Sequence, residues 1–233
     1  EGSAPNYRTA LNAFEKFLDT RVLDISRITS SLMRRFEAHL VEKHGKDARS
    51  VSMYTSCIAT IHAEARRTYN DNELGEVWIR NPFEFYTPPK QKPALKRTIE
   101  FDTIQRLIDI REYLGEYHKL AVDIYLLSFC LMGSNIPDIY EAVREGDVIY
   151  YNRRKTRTRR YDKAEMRIRL EPVCTSVFSD LLDPDNKRAF RFYINYTKYQ
   201  SIADKANDRL KEVAKVLEVE PFTIYSARHT WAS

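Results

Sequence analysis

Glycine is scarce, six in 233 residues, which argues against a turn-heavy all-β fold and for long helices. Cysteine is scarcer still: Cys57, Cys130 and Cys174 stand far apart in apolar company. They form no Cys-x-x-Cys pair and no Cys/His ligand spacing, so no metal site is expected, and reduced, buried thiols of a cytosolic protein are. No apolar run approaches the about eighteen residues of a membrane span, and no signal-peptide pattern opens the chain. A membrane is therefore not an expected partner.

What is present describes an ordinary globular chain, 43% hydrophobic and 30% charged, rich in Tyr (15) and Phe (11). Its length suits one or two domains, each with its own core. A net charge of +5 is only mildly basic, so the distribution of cations carries more meaning than their number.

Residues 6 to about 87 read as helices. Tyr7, Leu11, Phe14, Phe17 and Leu18 recur at helical spacing; Ser30-Ser31 is placed to cap a second helix with a Leu32, Met33, Phe36, Leu40 stripe, stopping at His44-Gly45. A third runs from about Ala48 to Tyr69 and buries Val51, Tyr54, Ile58, Ile61 and Ala65, and Asn81-Pro82-Phe83 starts a short turn or helix. Three prolines and four unopposed cations (Lys90, Lys92, Lys96, Arg97) over residues 88–97 mark a basic linker, either solvated or strapped along phosphates. Beyond it come a helix near 100–112 and a very apolar one from about Tyr117 to Met132. Strand signals follow at Val148-Ile149-Tyr150-Tyr151 and Met166 to Leu170, and helices return over 172–182, about 196–216 and the C-terminal residues. The expected architecture is mainly α with a small β-sheet: a helical domain over 1–93 and an α+β domain over 98–233.

Two constellations have chemical content. Arg153, Arg154, Lys155, Arg157, Arg159 and Arg160 crowd the proposed hairpin with no acid among them. They form a solvated basic loop or, since like charges repel, a seat for an anion. With Arg153 and Lys155 on one strand, period-two geometry would point a guanidinium fork and an ammonium to one face. At the other end, Arg228 suits bidentate phosphate binding, Tyr225 lies three residues before it on the same helical face, and His229 reads as a structural histidine or a phosphate partner.

Ser226-Ala227-Arg228-His229-Thr230-Trp231-Ala232 resembles the second conserved-arginine box of the tyrosine recombinases, the phage-integrase-like enzymes of DNA strand transfer. Lys155-Thr156 in a hairpin looks like that family's catalytic lysine turn. Ser50-Val51-Ser52-Met53-Tyr54 with Asn81-Pro82-Phe83 looks like its SAM-like core-binding domain. The resemblance runs from about Asn6 to Ser233. It implies double-stranded DNA as partner and no cofactor. It also implies a mechanism in which arginines neutralise the scissile phosphate, a lysine protonates the leaving 5′-oxygen and a tyrosine attacks to give a 3′-phosphotyrosyl link. The implied catalytic set is Arg228, Lys155, Arg153, Tyr225 and His229. The implied DNA contacts are Arg49, Ser50, Ser52, Tyr54, Lys90, Lys92, Lys96, Arg97, Arg154 and Arg157.

Departures from the pattern are informative. Asn135, in Gly133-Ser134-Asn135-Ile136-Pro137-Asp138, occupies the first arginine's position, while Asp138 matches the acidic residue after it. Arg153 is the candidate to fill the gap, which requires it to lie on the same side as Arg228. Tyr225 stands where the family has a histidine, and a phenol with pKa near 10 is a poor base at neutral pH. The nucleophilic tyrosine's position lies past Ser233, so residues 1–233 are expected to bind DNA without cleaving it, as a monomer. The full-length protein is expected to act as a tetramer on DNA in a bacterial cytoplasm, as an integrase of a mobile element. The alternative is a catalytically inactive, DNA-organising relative.

Overall fold

The computed structural model describes residues 3–45, 48–71, 73–90 and 98–233, the side chain of Val173 apart. Two compact units divide the chain, residues 1–94 and 95–233. Lys92, Lys96 and Arg97 lie outside the described residues.

The first unit is built on three helices, α1 (Ala4–Leu18), α2 (Ser30–His44) and α3 (Arg49–Tyr69). Pro5 opens α1, where its missing N–H costs nothing. The core joins Phe14, Met33, Phe36, Leu40, Val51, Ile58 and Tyr86. Phe14 meets Phe36 edge to face with centroids 4.8 Å apart, a favoured aromatic geometry. Leu11, expected inside, is largely exposed, and Ala10 is buried instead: the close approach of the helices admits a methyl at that position. The cap of α2 also differs from expectation. Thr29, in extended backbone, accepts the Leu32 N–H at 3.2 Å, so Ser30 and Ser31 are the first helical residues. Gly45 ends the helix with φ 86°, a conformation L side chains avoid.

After α3, Asn70 exchanges two 2.8 Å hydrogen bonds with the Ile79 backbone and closes the intervening loop. Asn81 caps the single turn Pro82–Glu84, and the Tyr86 hydroxyl donates to Glu37 at 2.7 Å. One polar residue is out of place in this core. His62 is 1% exposed, both ring nitrogens lack a partner among the described residues, and its ring meets that of Phe83 edge to face at 5.5 Å.

The second unit wraps around α5 (Glu116–Cys130), which is buried from Ala121 to Ser128 on every face, as a central helix should be. Before it stands α4 (Phe101–Ile110), and after it α6 (Ile136–Glu141). A three-stranded antiparallel sheet follows in the order β1 (Val143–Glu145), β2 (Val148–Asn152), β3 (Glu165–Arg169). The sequence signals two strands. β1 is three residues long, too short for a period to register, and Gly146 at φ 60° folds it back on β2. The helices α7 (Pro172–Val177), α8 (Phe192–Asn195), α9 (Tyr199–Val216) and α10 (Ile224–Trp231) complete the unit. The buried acid of α5, Asp123, is held by the Arg111 guanidinium, which also donates to Val177 O at 2.9 Å. Burial pushes the Asp123 carboxyl up; that pairing opposes the rise.

The thiols of Cys130 and Cys174, distant in sequence, face one another at 3.1 Å, half-buried and unbridged. Burial holds the Cys130 thiol protonated, with its pKa pushed up to about 12. No helix among the described residues is long and apolar enough to cross a membrane.

His62 generates a pH prediction. Burial first, and Arg66 second, lower its pKa below the usual 6.5. The folded unit therefore keeps a neutral imidazole at pH values where the unfolded chain takes up a proton. Stability from this group is fully present above the unfolded pKa and is lost as pH falls from about 6.5 toward the folded value. The thermal midpoint of the first unit should fall over that window, and His62→Leu should flatten the decline; an unchanged profile in the variant would refute the assignment.

Candidate functional site

The site begins where α5 ends. Met132 and Gly133 take successive left-handed conformations (φ 56° and 69°) and turn the chain sharply. Three bonds lock that turn: Gly133 N–H to Ser128 O (2.9 Å), Ser134 N–H to Leu131 O (3.1 Å) and the Ser128 hydroxyl to Ser134 O (2.7 Å). The buried Ser134 hydroxyl donates to Leu131 O (2.5 Å), which leaves it to accept from the Tyr151 phenol at 2.6 Å. Asn135 then starts α6, its carbonyl accepting from the Asp138 N–H.

Arg228 arrives from α10. Thr223 and Ser226 form a reciprocal capping box, and Asn207 of α9 accepts the Ile224 N–H at 3.0 Å, so the first turn of α10 is fixed at three points. Farther along, the Thr230 hydroxyl accepts the Ile99 N–H (3.0 Å) and donates to Ser226 O (2.9 Å). The helix backbone then passes directly over Gly133, where a Cβ would lie 2.5 Å from the Arg228 Cα. Arg228 Nη1 donates to Gly133 O at 3.1 Å and leaves the rest of its fork available. Asn135, Ser134, Tyr225 and Arg228 line a concavity of about 170 Å³ with Asn207 and its apolar neighbours.

Arg153 is the second candidate cation. It follows β2 directly, its N–H bonded to Ala164 O at 2.9 Å. The expected strand does not continue to Lys155, because the Arg153 carbonyl accepts from both Thr156 and Arg157 and curls the chain into a helical turn. Arg153 and Lys155 therefore do not share a strand face. Buried Asp138 sets this departure: its Oδ1 takes the Arg154 N–H at 2.8 Å. Burial raises the Asp138 carboxyl, while that N–H, the Arg153 charge and Asn135 pull it back. Buried Tyr151 is likewise pushed up by burial and drawn down by its Ser134 bond and by both the Arg228 and Arg153 charges. Arg153 Nε is buried with no hydrogen-bond partner among the described residues. Ser128, Ser134 and Tyr151 escape sequence reasoning; nothing in the spacing of a serine and a tyrosine seventeen positions apart announces a hydrogen bond.

The other candidates separate into groups. Tyr225, 57% exposed, meets His229 edge to face at 5.0 Å, one turn apart on α10. Lys155 is exposed in the turn with no carboxylate partner among the described residues, and no contact joins it to Arg228. Arg154 and Arg157 are not unopposed: Glu141 of α6 pairs with both, at 2.8 and 3.3 Å, and Arg154 also lies 5.0 Å over the Tyr199 ring. In the first unit Arg49 is exposed at the start of α3, a helix with no side-chain cap, and Ser50 and Ser52 are half-buried beside it. Tyr54 packs against the core of that unit, and Lys90 is exposed.

The close approach of Gly133 and Arg228 is testable. Gly133→Ala meets both the 2.5 Å clash and the strain of φ 69°, so the second unit should lose on the order of 2 kcal/mol or more in urea denaturation. A neutral effect would mean that the helix does not press on the turn.

The family model of the phage integrase SAM-like domain matches residues 1–73. No curated protein sequence matches the chain. Among solved structures, the whole chain is similar to a lambda integrase tetramer bound to a Holliday junction, at 14% identity and TM-score 0.64, covering 66% of that chain. It is similar over its full length to a lambda integrase dimer bound to a COC′ core site, at 14% identity and TM-score 0.68, covering 63% of that chain. The chain therefore spans less than two thirds of the length of these integrases. Residues 1–73 are thus similar to the phage integrase SAM-like domain, and the chain from end to end has a fold similar to that of these integrases.

Proposed function

We propose that this chain is part of a site-specific DNA recombinase, an integrase of a mobile element, that acts on double-stranded DNA by transesterification. The reading rests most on one observation, the Arg228 side chain anchored on the Gly133 carbonyl and lining, with Asn135 and Tyr225, a concavity of about 170 Å³. The rest of that fork, with an Arg153 guanidinium whose Nε is buried with no partner among the described residues, suits the oxygens of a phosphodiester. Arg153 supplies the positive charge that the amide of Asn135 does not.

In this reading Arg228 and Arg153 hold the non-bridging oxygens and stabilise the charge that grows on them. A tyrosine hydroxyl attacks phosphorus and loses its proton to solvent, the bond to the 5′-oxygen breaks, and Lys155, exposed in its turn, gives that oxygen a proton. The 3′-phosphotyrosyl link keeps the phosphodiester's energy, so a 5′-hydroxyl can reverse the step. Tyr225 and His229, packed together beside Arg228, steady the phosphate. Arg228 and Arg153 supply the phosphate-holding part of this chemistry. Arg49, Ser50 and Ser52 at the uncapped start of α3, with the basic residues near 88–97, contact the backbone. Four protomers on two duplexes make the working assembly, as in the lambda integrase tetramer on its junction, in a bacterial cytoplasm where the protein sits on the nucleoid. Asn135 and Tyr225 favour one alternative, an inactive relative that binds and organises DNA.

Salt titrations of DNA binding test the site. Arg153→Ala and Arg228→Ala should each reduce the slope of log K against log salt by about one. In the full-length protein on a suicide substrate, both should abolish the covalent adduct, and Arg153→Lys should not restore it. Normal cleavage by Arg153→Ala would remove Arg153 from the site. Intact binding with no adduct in the wild type would establish the inactive alternative.

A further inference from the structure

The turn between β2 and β3 ends in a side chain that the proposed chemistry does not use. Tyr161 is 106% exposed, the most exposed large hydrophobic residue among those described. The turn that carries it is rigid. Asp162 accepts the Arg160 fork at 2.8 and 2.5 Å and the Ala164 N–H at 2.9 Å. Lys163 N–H bonds to Arg160 O, Glu165 N–H to Asp162 O, and Asn152 Nδ2 to Lys163 O. Lys163 and Ala164 both hold left-handed backbone, φ 51° and 50°, a strain that the surrounding bonds sustain. Tyr161 thus sits between two anchored residues with its ring fully in water.

Its charged surroundings narrow the partner. Arg157 is matched by Glu141 and Arg160 by Asp162, whereas Arg159 and Lys163, two positions before and after Tyr161 in the chain, have no carboxylate partner among the described residues. Tyr113, 90% exposed, makes the contrast: its neighbours Arg111 and Glu112 are paired with each other, and the local charge is spent. An exposed ring between unspent cations fits a polyanion that also offers flat apolar surface, which is the chemistry of a nucleic acid.

We propose that Tyr161 is a DNA-contacting residue, its ring packed on the sugar and base surface of one groove while Arg159 and Lys163 hold the flanking phosphates. The inference rests on the reading that duplex DNA is the partner, and it assigns to the turn an apolar contact separate from the phosphate site.

Anisotropy of a labelled mixed-sequence duplex, titrated with residues 1–233 over a salt series, tests it. Tyr161→Ala should weaken binding roughly 5- to 100-fold at every salt concentration with an unchanged salt slope, the mark of a contact that releases no counterions. Tyr161→Phe should bind as the wild type does, and Arg159→Ala should lower the slope by about one. A thermal melt of Tyr161→Ala equal to that of the wild type shows that the loss is not unfolding. Wild-type affinity in Tyr161→Ala, or a loss in Tyr161→Phe equal to that of the alanine, overturns the ring contact and leaves the recombinase reading standing. Absence of salt-dependent duplex binding by the wild type overturns both.

Discussion

Everything at the site depends on the missing side chain of Gly133. Because no Cβ stands there, the backbone of α10 descends onto the turn that closes α5, and Arg228 bonds the Gly133 carbonyl beneath it. The rest of the unit serves to hold these two pieces in contact. The capping box and Asn207 fix where α10 starts, Thr230 fixes where it runs, and the serine hydroxyls stiffen the turn from below. A long flexible arginine gains from such support, since the entropy of ordering its fork is already spent when an anion arrives.

The same turn joins α10 to the sheet. Ser134 accepts the hydrogen bond of the Tyr151 phenol, so the end of α5, the middle strand and the last helix share one buried polar network. Buried polar groups are costly unless each is satisfied, and this network fixes its members in a single arrangement. Arg153 lies just past Tyr151, at the exit of the same strand.

Much of this was legible beforehand. The all-round apolar stretch that forms α5, the 3.6-residue stripes of α2 and α3 and the alternation of β3 have strong local periods, and the Arg-His-Thr run on α10 declared its own oddity. What escaped was decided by distance in space rather than by pattern. No local signal pairs Glu141 with Arg154 and Arg157, brings Cys130 to Cys174 or sets Ser134 against Tyr151. The basic run looked unopposed because the acid that pairs with Arg154 and Arg157 lies on another element. Arg153 and Lys155 looked like strand neighbours because alternation cannot show that Asp138 will capture the next N–H and curl the chain.

That capture gives α6 a role out of proportion to its six residues. Asp138 grips the backbone of Arg154 and Glu141, three positions later on the same helical face, grips its side chain. The helix is a jig, with two carboxylates one turn apart against which the cationic turn is shaped. Its tolerance is set by helical geometry: one residue added or removed between the two acids would swing one of them by about 100° and leave the turn without its template.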